Sequence, residues 1–261
     1  MNETVIYTAI FNNYDTLKEP LAITKNCDYI CFTDNIKLKS KIWKVIVVDV
    51  KDLSASLSNR RLKILGPYNE LKDYKYSLYI DGTILIKSDL KEFLSRYQDF
   101  NLVNFRHPRR TCVYSEFASC IAEKKGDAQK IIQQCHDYAR EGMPFEFGLS
   151  DNKIIFRNNQ DQIVEKIMHE WWKNVTKYSG RDQTCLSYVL FKNSLSYCFF
   201  NENLLSNDFF EIWPHRDEYI RRIWRNLKKF CIRNRLFINQ INYLDMKIKT
   251  RILDKNTSGT I

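Results

Sequence analysis

Between residue 4 and about residue 200, short apolar runs alternate with stretches whose apolar residues recur every three or four positions. Runs bounded by polar turns read as buried strands, and the three-to-four spacing reads as amphipathic helices packed on them. The runs place strands at 5–10, 29–33, 43–48, 77–86, 102–105 and 153–156. Helical stripes are clearest at Ile131, Ile132, Cys135 and Tyr138, and again at Ile163, Val164, Ile167, Met168, Trp171, Trp172 and Val175. Both read as core-facing surfaces. Gly180 then interrupts, and 183–191 gives one more short helix. This alternation predicts an α/β domain with a mainly parallel, Rossmann-like sheet and helices on both faces. Residues 220–231 and 237–248 continue the helical spacing with arginines and lysines between the apolar positions, a basic helical arm at the C-terminus. The expected organisation is a domain over 1–215, the arm over 216–253 and a disordered tail over 254–261.

Charge sharpens the division. Of the net +10, residues 216–251 hold +8, from eleven Lys/Arg against three carboxylates, which leaves +2 for the rest of the chain. With Trp224 and Phe230 on its apolar stripe, the arm fits an anionic membrane surface, a partner's groove or nucleic acid. A helical hairpin packed back on the domain, or onto a second copy of the chain, explains the same stripe. Nucleic acid is the weaker partner, because residues 1–215 show no nucleic-acid motif and little excess charge. No run approaches the roughly 18 apolar residues that cross a bilayer, and Asn2-Glu3-Thr4 is not the basic start of a signal peptide. A cytoplasmic chain, peripheral at the inner face of the membrane, is the expectation. Eight scattered cysteines without a CxxC pair suggest buried thiols rather than a zinc site or a disulfide framework.

The densest candidate chemistry lies between Arg60 and Leu94. A basic segment leads through Pro67 into an apolar strand that ends on Asp81-Gly82-Thr83. A carboxylate closing a strand, with glycine beside it to admit a ligand close to the backbone, suits a ribose or a metal-bound diphosphate; it also suits a turn cap. Arg60, Arg61 and Lys63 offer positive charge for a diphosphate, and in a helix Arg60 and Lys63 would share a face while Arg61 diverges. Tyr14 and Asp34 follow the first two strands, where α/β sheets bind ligands. One can stack on a base and the other can accept its imide proton, although Asx-rich turns explain both equally. Arg181-Asp182-Gln183 opens a helix, so Asp182 either uses the helix dipole or merely caps it. His107, Arg109, Arg110 and Glu116 form a polar cluster after a strand, from which His107 or Glu116 can act as a general base. Gly148 follows an aromatic turn on what reads as the acceptor side.

Tyr7-Thr8-Ala9-Ile10-Phe11 with Tyr14-Asp15, Cys31-Phe32-Thr33-Asp34, the Arg60 to Asp81-Gly82 core, Phe105-Arg106-His107-Pro108 and Arg181-Asp182-Gln183 together carry a resemblance. The chain resembles the glycosyltransferase-like domain family that includes plant proteins of mucilage and turgor regulation, related to bacterial polysaccharide transferases. More distantly, the order of arginine, proline, apolar strand and Asp81 resembles glycogenin-like GT-A enzymes, with Thr83 standing where Asp-x-Asp has its second carboxylate. The resemblance covers about residues 4–200 and leaves the arm unexplained.

It implies a GT-A-like fold, a nucleotide-sugar donor, UDP by preference, and glycosyl transfer. Donor roles fall to Tyr14, Asp34, Arg60, Arg61, Lys63, Asp81, Gly82, Thr83 and Arg181, and sugar-side roles to Asp182 and Gln183, which favours retention of configuration. His107, Arg109 and Gly148 fall on the acceptor side, with His107 or Glu116 as the base of an inverting enzyme. Mn²⁺ or Mg²⁺ would take Asp81 and His215; in a metal-free site Arg60, Arg61 or Arg181 would neutralise the diphosphate. The leading expectation is a glycosyltransferase of bacterial surface polysaccharide, capsule or lipopolysaccharide, with a glycan or lipid-linked glycan acceptor and the arm on an anionic membrane. The alternatives are a nucleic-acid-binding protein and an inactive glycosyltransferase-like scaffold, since Thr83 breaks the motif.

Overall fold

The computed structural model describes residues 2–50 and 52–216. The chain divides into a first compact unit, Met1–Trp213, and a second that begins at Pro214. The helices expected in the basic arm and the tail fall within 217–261, outside the described residues.

In chain order the strands are β1 (Thr4–Ile10), β2 (Cys27–Thr33), β3 (Lys44–Val47), β4 (Tyr76–Ile80), β5 (Ile84–Ile86), β6 (Leu102–Arg106), β7 (Ser150–Asn158) and β8 (Phe210–Ile212). The helices are α1 (Ala55–Leu65), α2 (Lys91–Ser95), α3 (Val113–Ala122), α4 (Ala128–Arg140), α5 (Gln162–Lys177) and α6 (Asp182–Lys192). Six strands form one sheet in the order β3-β2-β1-β4-β7-β6, and β5 pairs with β8 in a second, two-stranded sheet. β1 is parallel to β2 and β4, and β2 to β3, whereas β7 is antiparallel to both its neighbours. The expected GT-A-like α/β architecture, mostly parallel, is what the chain adopts.

β1 and β4 are buried along their whole length, so both of their faces must be apolar, and the sequences TVIYTAI and YSLYI largely meet that demand. On one face Tyr7, Ile155, Leu62, Phe117, Tyr138, Trp171 and Leu186 bring α1, α3, α4, α5 and α6 into one core. On the other, Ile6, Leu78 and Ile154 pack with Phe93, Phe200 and Phe210, so that face is covered by the short α2 and the small sheet. Helices therefore lie on both faces, unequally. Asp161 starts α5 by accepting the Val164 N–H at 2.8 Å, and Ser54 starts α1 by accepting that of Leu57 at 3.3 Å.

Residues 77–86 are two strands rather than one. The Ile84 N–H donates to the Asp81 carbonyl at 2.9 Å, closing a turn over Asp81-Gly82-Thr83 that sends β5 out of the central sheet to β8. β7 extends past 153–156 at both ends because Ser150, Asp151, Asn152 and Arg157, all polar, are buried in it. Among the described residues no helix is long and apolar enough to cross a membrane.

Candidate active site

The parallel strands β1, β2 and β4 end, and the antiparallel β7 begins, at one edge of the sheet. Loops leaving that edge are where an α/β sheet presents polar groups to a ligand. Asp182 is the hub. As the first residue of α6 it lies beyond the cap position, which Arg181 fills, and its carboxylate reaches across to α1. Lys63 Nζ sits 2.5 Å from Oδ2 and Arg60 Nε 3.5 Å from Oδ1. Spacing of three along α1 puts both cations on one face, while Arg61 points away to Glu70 at 2.8 Å. Burial alone would raise the Asp182 pKa, but Lys63, Arg60 and Arg181 outweigh it and hold the carboxyl well below the usual carboxylate range.

Asp81 follows the end of β4, and its charge acts with that of Asp182 on Lys153. Its Oδ1 accepts both the Thr83 N–H at 3.1 Å and the Thr83 hydroxyl at 2.7 Å, so Thr83 braces Asp81 instead of adding a second carboxylate. Lys153, on β7, binds Asp151 Oδ2 at 2.8 Å. Burial pulls its pKa down, but Asp151 and the more distant Asp81 and Asp182 raise it overall, so the group stays charged. Lys18 donates to the Gly82 carbonyl at 2.8 Å and to that of Thr16 at 3.3 Å. Burial lowers its pKa against the pull of Asp15 and Asp81. A Cβ on Gly82 would lie 2.9 Å from Asp15 Cβ and 3.0 Å from its Oδ2, so only glycine fits under Asp15.

At the ends of β1 and β2, both Asp34 oxygens accept the Asn12 N–H, at 3.0 and 2.9 Å. Asp34 thus holds the loop after β1, a structural task that the expected base contact did not include. Asn12 and Asn13 adopt φ of 54° and 49°, a left-handed turn that asparagine tolerates, and Tyr14 beyond it is 58% exposed. A cavity of about 250 Å³ opens at the ends of β1 and β3, lined by Phe11, Val48, Leu53, Arg61 and Glu70 among others.

The acceptor-side residues are more heavily committed than expected. Glu116 is buried and takes Arg110 Nε at 2.6 Å. His107 Nδ1 accepts the N–H groups of Arg109 at 3.2 Å and Arg110 at 2.9 Å, and the Arg110 guanidinium lies 3.5 Å from its Nε2. Burial and Arg110 lower its pKa, so it is neutral at physiological pH. Neither side chain stands as an uncommitted base. The Arg109 side chain is exposed. Gly148 has a φ of 109° and a Cβ there would meet Tyr197 at 3.2 Å, so backbone conformation and packing account for this glycine. Gln183 Nε2 donates to the Ser150 carbonyl at 3.0 Å. Arg181 Nε is buried without a hydrogen-bond partner among the described residues. His215 belongs to the second unit; the first ends at Trp213, whose N–H donates to the Thr83 carbonyl at 2.8 Å.

A family model described as TOD1/MUCI70, glycosyltransferase-like domain, matches residues 1–211. The chain belongs to the TOD1/MUCI70 family. It is also similar to an Arabidopsis thaliana protein described as "probable hexosyltransferase MUCI70", at 25% identity over 213 residues, 71% of this chain and 36% of that protein. The chain therefore spans little more than a third of that relative's length.

Within this TOD1/MUCI70 domain, Lys18, Asn59, Asp151 and Lys153 join the site although nothing in the sequence marked them. Asn59 Nδ2 donates to the Ala9 carbonyl at 2.5 Å, tying α1 to the end of β1. A lysine in a polar loop and another in a strand look like ordinary solvated charges until the fold sets them beside Asp81. A divalent ion fits these residues poorly. Thr83 already donates twice to Asp81 Oδ1, the charges of two lysines act on that carboxylate, and no three His, Cys, Asp or Glu side chains converge among the described residues.

Proposed function

We propose that the chain is a glycosyltransferase that moves a sugar from a nucleoside diphosphate donor, UDP by preference, to a glycan with retention of configuration. The observation that carries this reading is the Arg60–Lys63–Asp182 cluster, coupled through Lys153 to Asp81 at the ends of β1 and β4, in a domain of this family.

The base enters the cavity beside Phe11, where Arg61 also lies, with Tyr14 at its margin. Asp81 receives the ribose hydroxyls. Arg60, Lys63 and Arg181 turn part of their charge from Asp182 to the diphosphate, since guanidinium groups form paired hydrogen bonds with phosphate oxygens. Asp182, held ionised, is a weak proton acceptor and a strong hydrogen-bond acceptor, so its role is to bind sugar hydroxyls and stabilise positive charge developing at the anomeric carbon. Gln183 commits its nitrogen to Ser150 and keeps its oxygen for the sugar. Retention is supported by the commitment of Glu116 to Arg110 and of His107 to its turn, because inversion needs an available base.

The acceptor in this reading is a lipid-linked glycan of a bacterial surface polysaccharide, and the arm's +8 over 216–251 holds the chain at the inner face of the membrane. Incubation with UDP-, GDP- and ADP-sugars, with release of free nucleotide as the readout, tests the donor half. Release from one of them supports the reading, and release from none refutes it.

A further inference from the structure

We propose that the ammonium group of Lys18 replaces the divalent cation at the Asp81-Gly82-Thr83 turn and binds the donor diphosphate directly. The inference rests on the glycosyltransferase reading and goes beyond it, because that reading gives the diphosphate to Arg60, Lys63 and Arg181 and assigns no role to Lys18.

Lys18 lies in the loop after β1 and is pinned at both ends. Its carbonyl accepts Trp43 Nε1–H at 3.0 Å, and its Nζ donates to the carbonyls of Gly82 at 2.8 Å and Thr16 at 3.3 Å. An ammonium has three protons. Among the described residues two are used, and the third remains for an oxygen brought to the Gly82 turn. Asp15 and Asp81 are the carboxylates that act on the charge, and Asp15 sits where a Gly82 side chain would otherwise be. The turn therefore holds a fixed cation flanked by two carboxylates, the electrostatic arrangement a bound metal would create.

The same residues work against a metal. One Asp81 oxygen accepts two hydrogen bonds from Thr83, and the charges of Lys153 and Lys18 act on the same carboxylate. A divalent ion entering between Asp15 and Asp81 would have to displace Lys18 or meet its charge at short range. Thr83, which breaks the Asp-x-Asp pattern, belongs to the same arrangement, since a second carboxylate becomes unnecessary once the cation is covalently part of the chain.

The test uses the full chain and its Lys18→Gln, Lys18→Ala and Lys18→Arg variants. Binding of UDP, GDP and ADP is titrated calorimetrically in EDTA and in Mn²⁺, and Mn²⁺ binding is followed separately by electron paramagnetic resonance. The native chain should bind one of these nucleotides with the same affinity in EDTA and in Mn²⁺, and should hold no nucleotide-dependent Mn²⁺. Lys18→Gln should weaken binding in EDTA by about tenfold or more, the loss expected for one charge-assisted bond to phosphate. Lys18→Arg should retain most of the affinity. Lys18→Ala should weaken binding at least as much as Lys18→Gln. Native affinity that collapses in EDTA, or Lys18→Gln affinity equal to native, overturns the inference while leaving the glycosyltransferase reading in place. A native chain that binds none of the three nucleotides under either condition overturns both.

Discussion

Asp182 is at once the counter-ion of two cations on α1 and the proposed contact to the sugar, so its substitution must act on folding and turnover together. Asp182→Asn leaves Lys63, 8% exposed at its side chain, and Arg60 without a carboxylate. Breaking a buried pair on one side should cost about 3 kcal/mol, readable by urea unfolding. The sign with pH follows from the depressed pKa. The stabilisation is complete above the unfolded pKa of about 3.9 and is lost as pH falls through the lower folded value, so the native chain should lose stability in acid where the variant changes less. At temperatures where both are folded, turnover should fall by more than nucleotide affinity, because the sugar contact strengthens in the transition state. Equal losses in both would make Asp182 structural only. Gly82→Ala should cost about 1–3 kcal/mol in the same unfolding assay, the range for overpacking, since its Cβ would lie 2.9 Å from Asp15 and 3.1 Å from Ile10.

α1 carries the cationic face and stops at Gly66-Pro67, where Arg157 binds its last carbonyls. Arg157 is fully buried, donates to the carbonyls of Lys63 at 2.8 Å and Ile64 at 3.3 Å, and donates also to the Tyr7 hydroxyl, which in turn donates to the Lys63 carbonyl at 2.9 Å. Burial pushes the Tyr7 hydroxyl up to about 12 although Arg157 opposes the shift, so Tyr7 remains a donor. A cation at a helix C-terminus satisfies carbonyls that have no partner within the helix. Arg157→Met should lower stability by about 1–3 kcal/mol, the cost of unpaired buried acceptors, and should weaken nucleotide binding through displacement of Lys63. A melting temperature that falls while nucleotide affinity stays constant would confine Arg157 to stability. None of this was readable in the sequence. β1 and α5 were, because a continuous apolar run or a period near 3.6 needs no knowledge of partners, whereas β4 and β5 read as one strand over 77–86 because the turn at Asp81-Gly82-Thr83 depends on where β8 lies. β7 was found only at its apolar centre, since Asp151, Asn152 and Arg157 are buried by virtue of bonds made across the fold. The pairing of Arg60 with Lys63 followed from helical spacing, whereas the commitment of Glu116 and His107 depends on where Arg110 sits in space.

At the scale of the whole molecule, a near-neutral domain and a strongly basic segment call for two separate measurements. With +8 over 216–251 and apolar Ile220, Trp224, Leu227 and Phe230 at helical spacing, the full chain should sediment with anionic vesicles at low salt and be released at high salt. Truncation after Arg216 retains every described site residue, so hydrolysis of the donor by water should survive while transfer to a lipid-linked acceptor falls. Absence of vesicle binding at low salt would instead assign the apolar stripe to protein contacts. The central claim concerns the site and not the arm. Its most direct test is nucleotide release from a panel of UDP-, GDP- and ADP-sugars by the full native chain beside Asp81→Asn, with folding of both verified by calorimetry. Release from one sugar nucleotide by the native chain and its loss in Asp81→Asn is the predicted result. Equal release by a folded Asp81→Asn chain, or no release from any donor by the native one, would contradict the assignment.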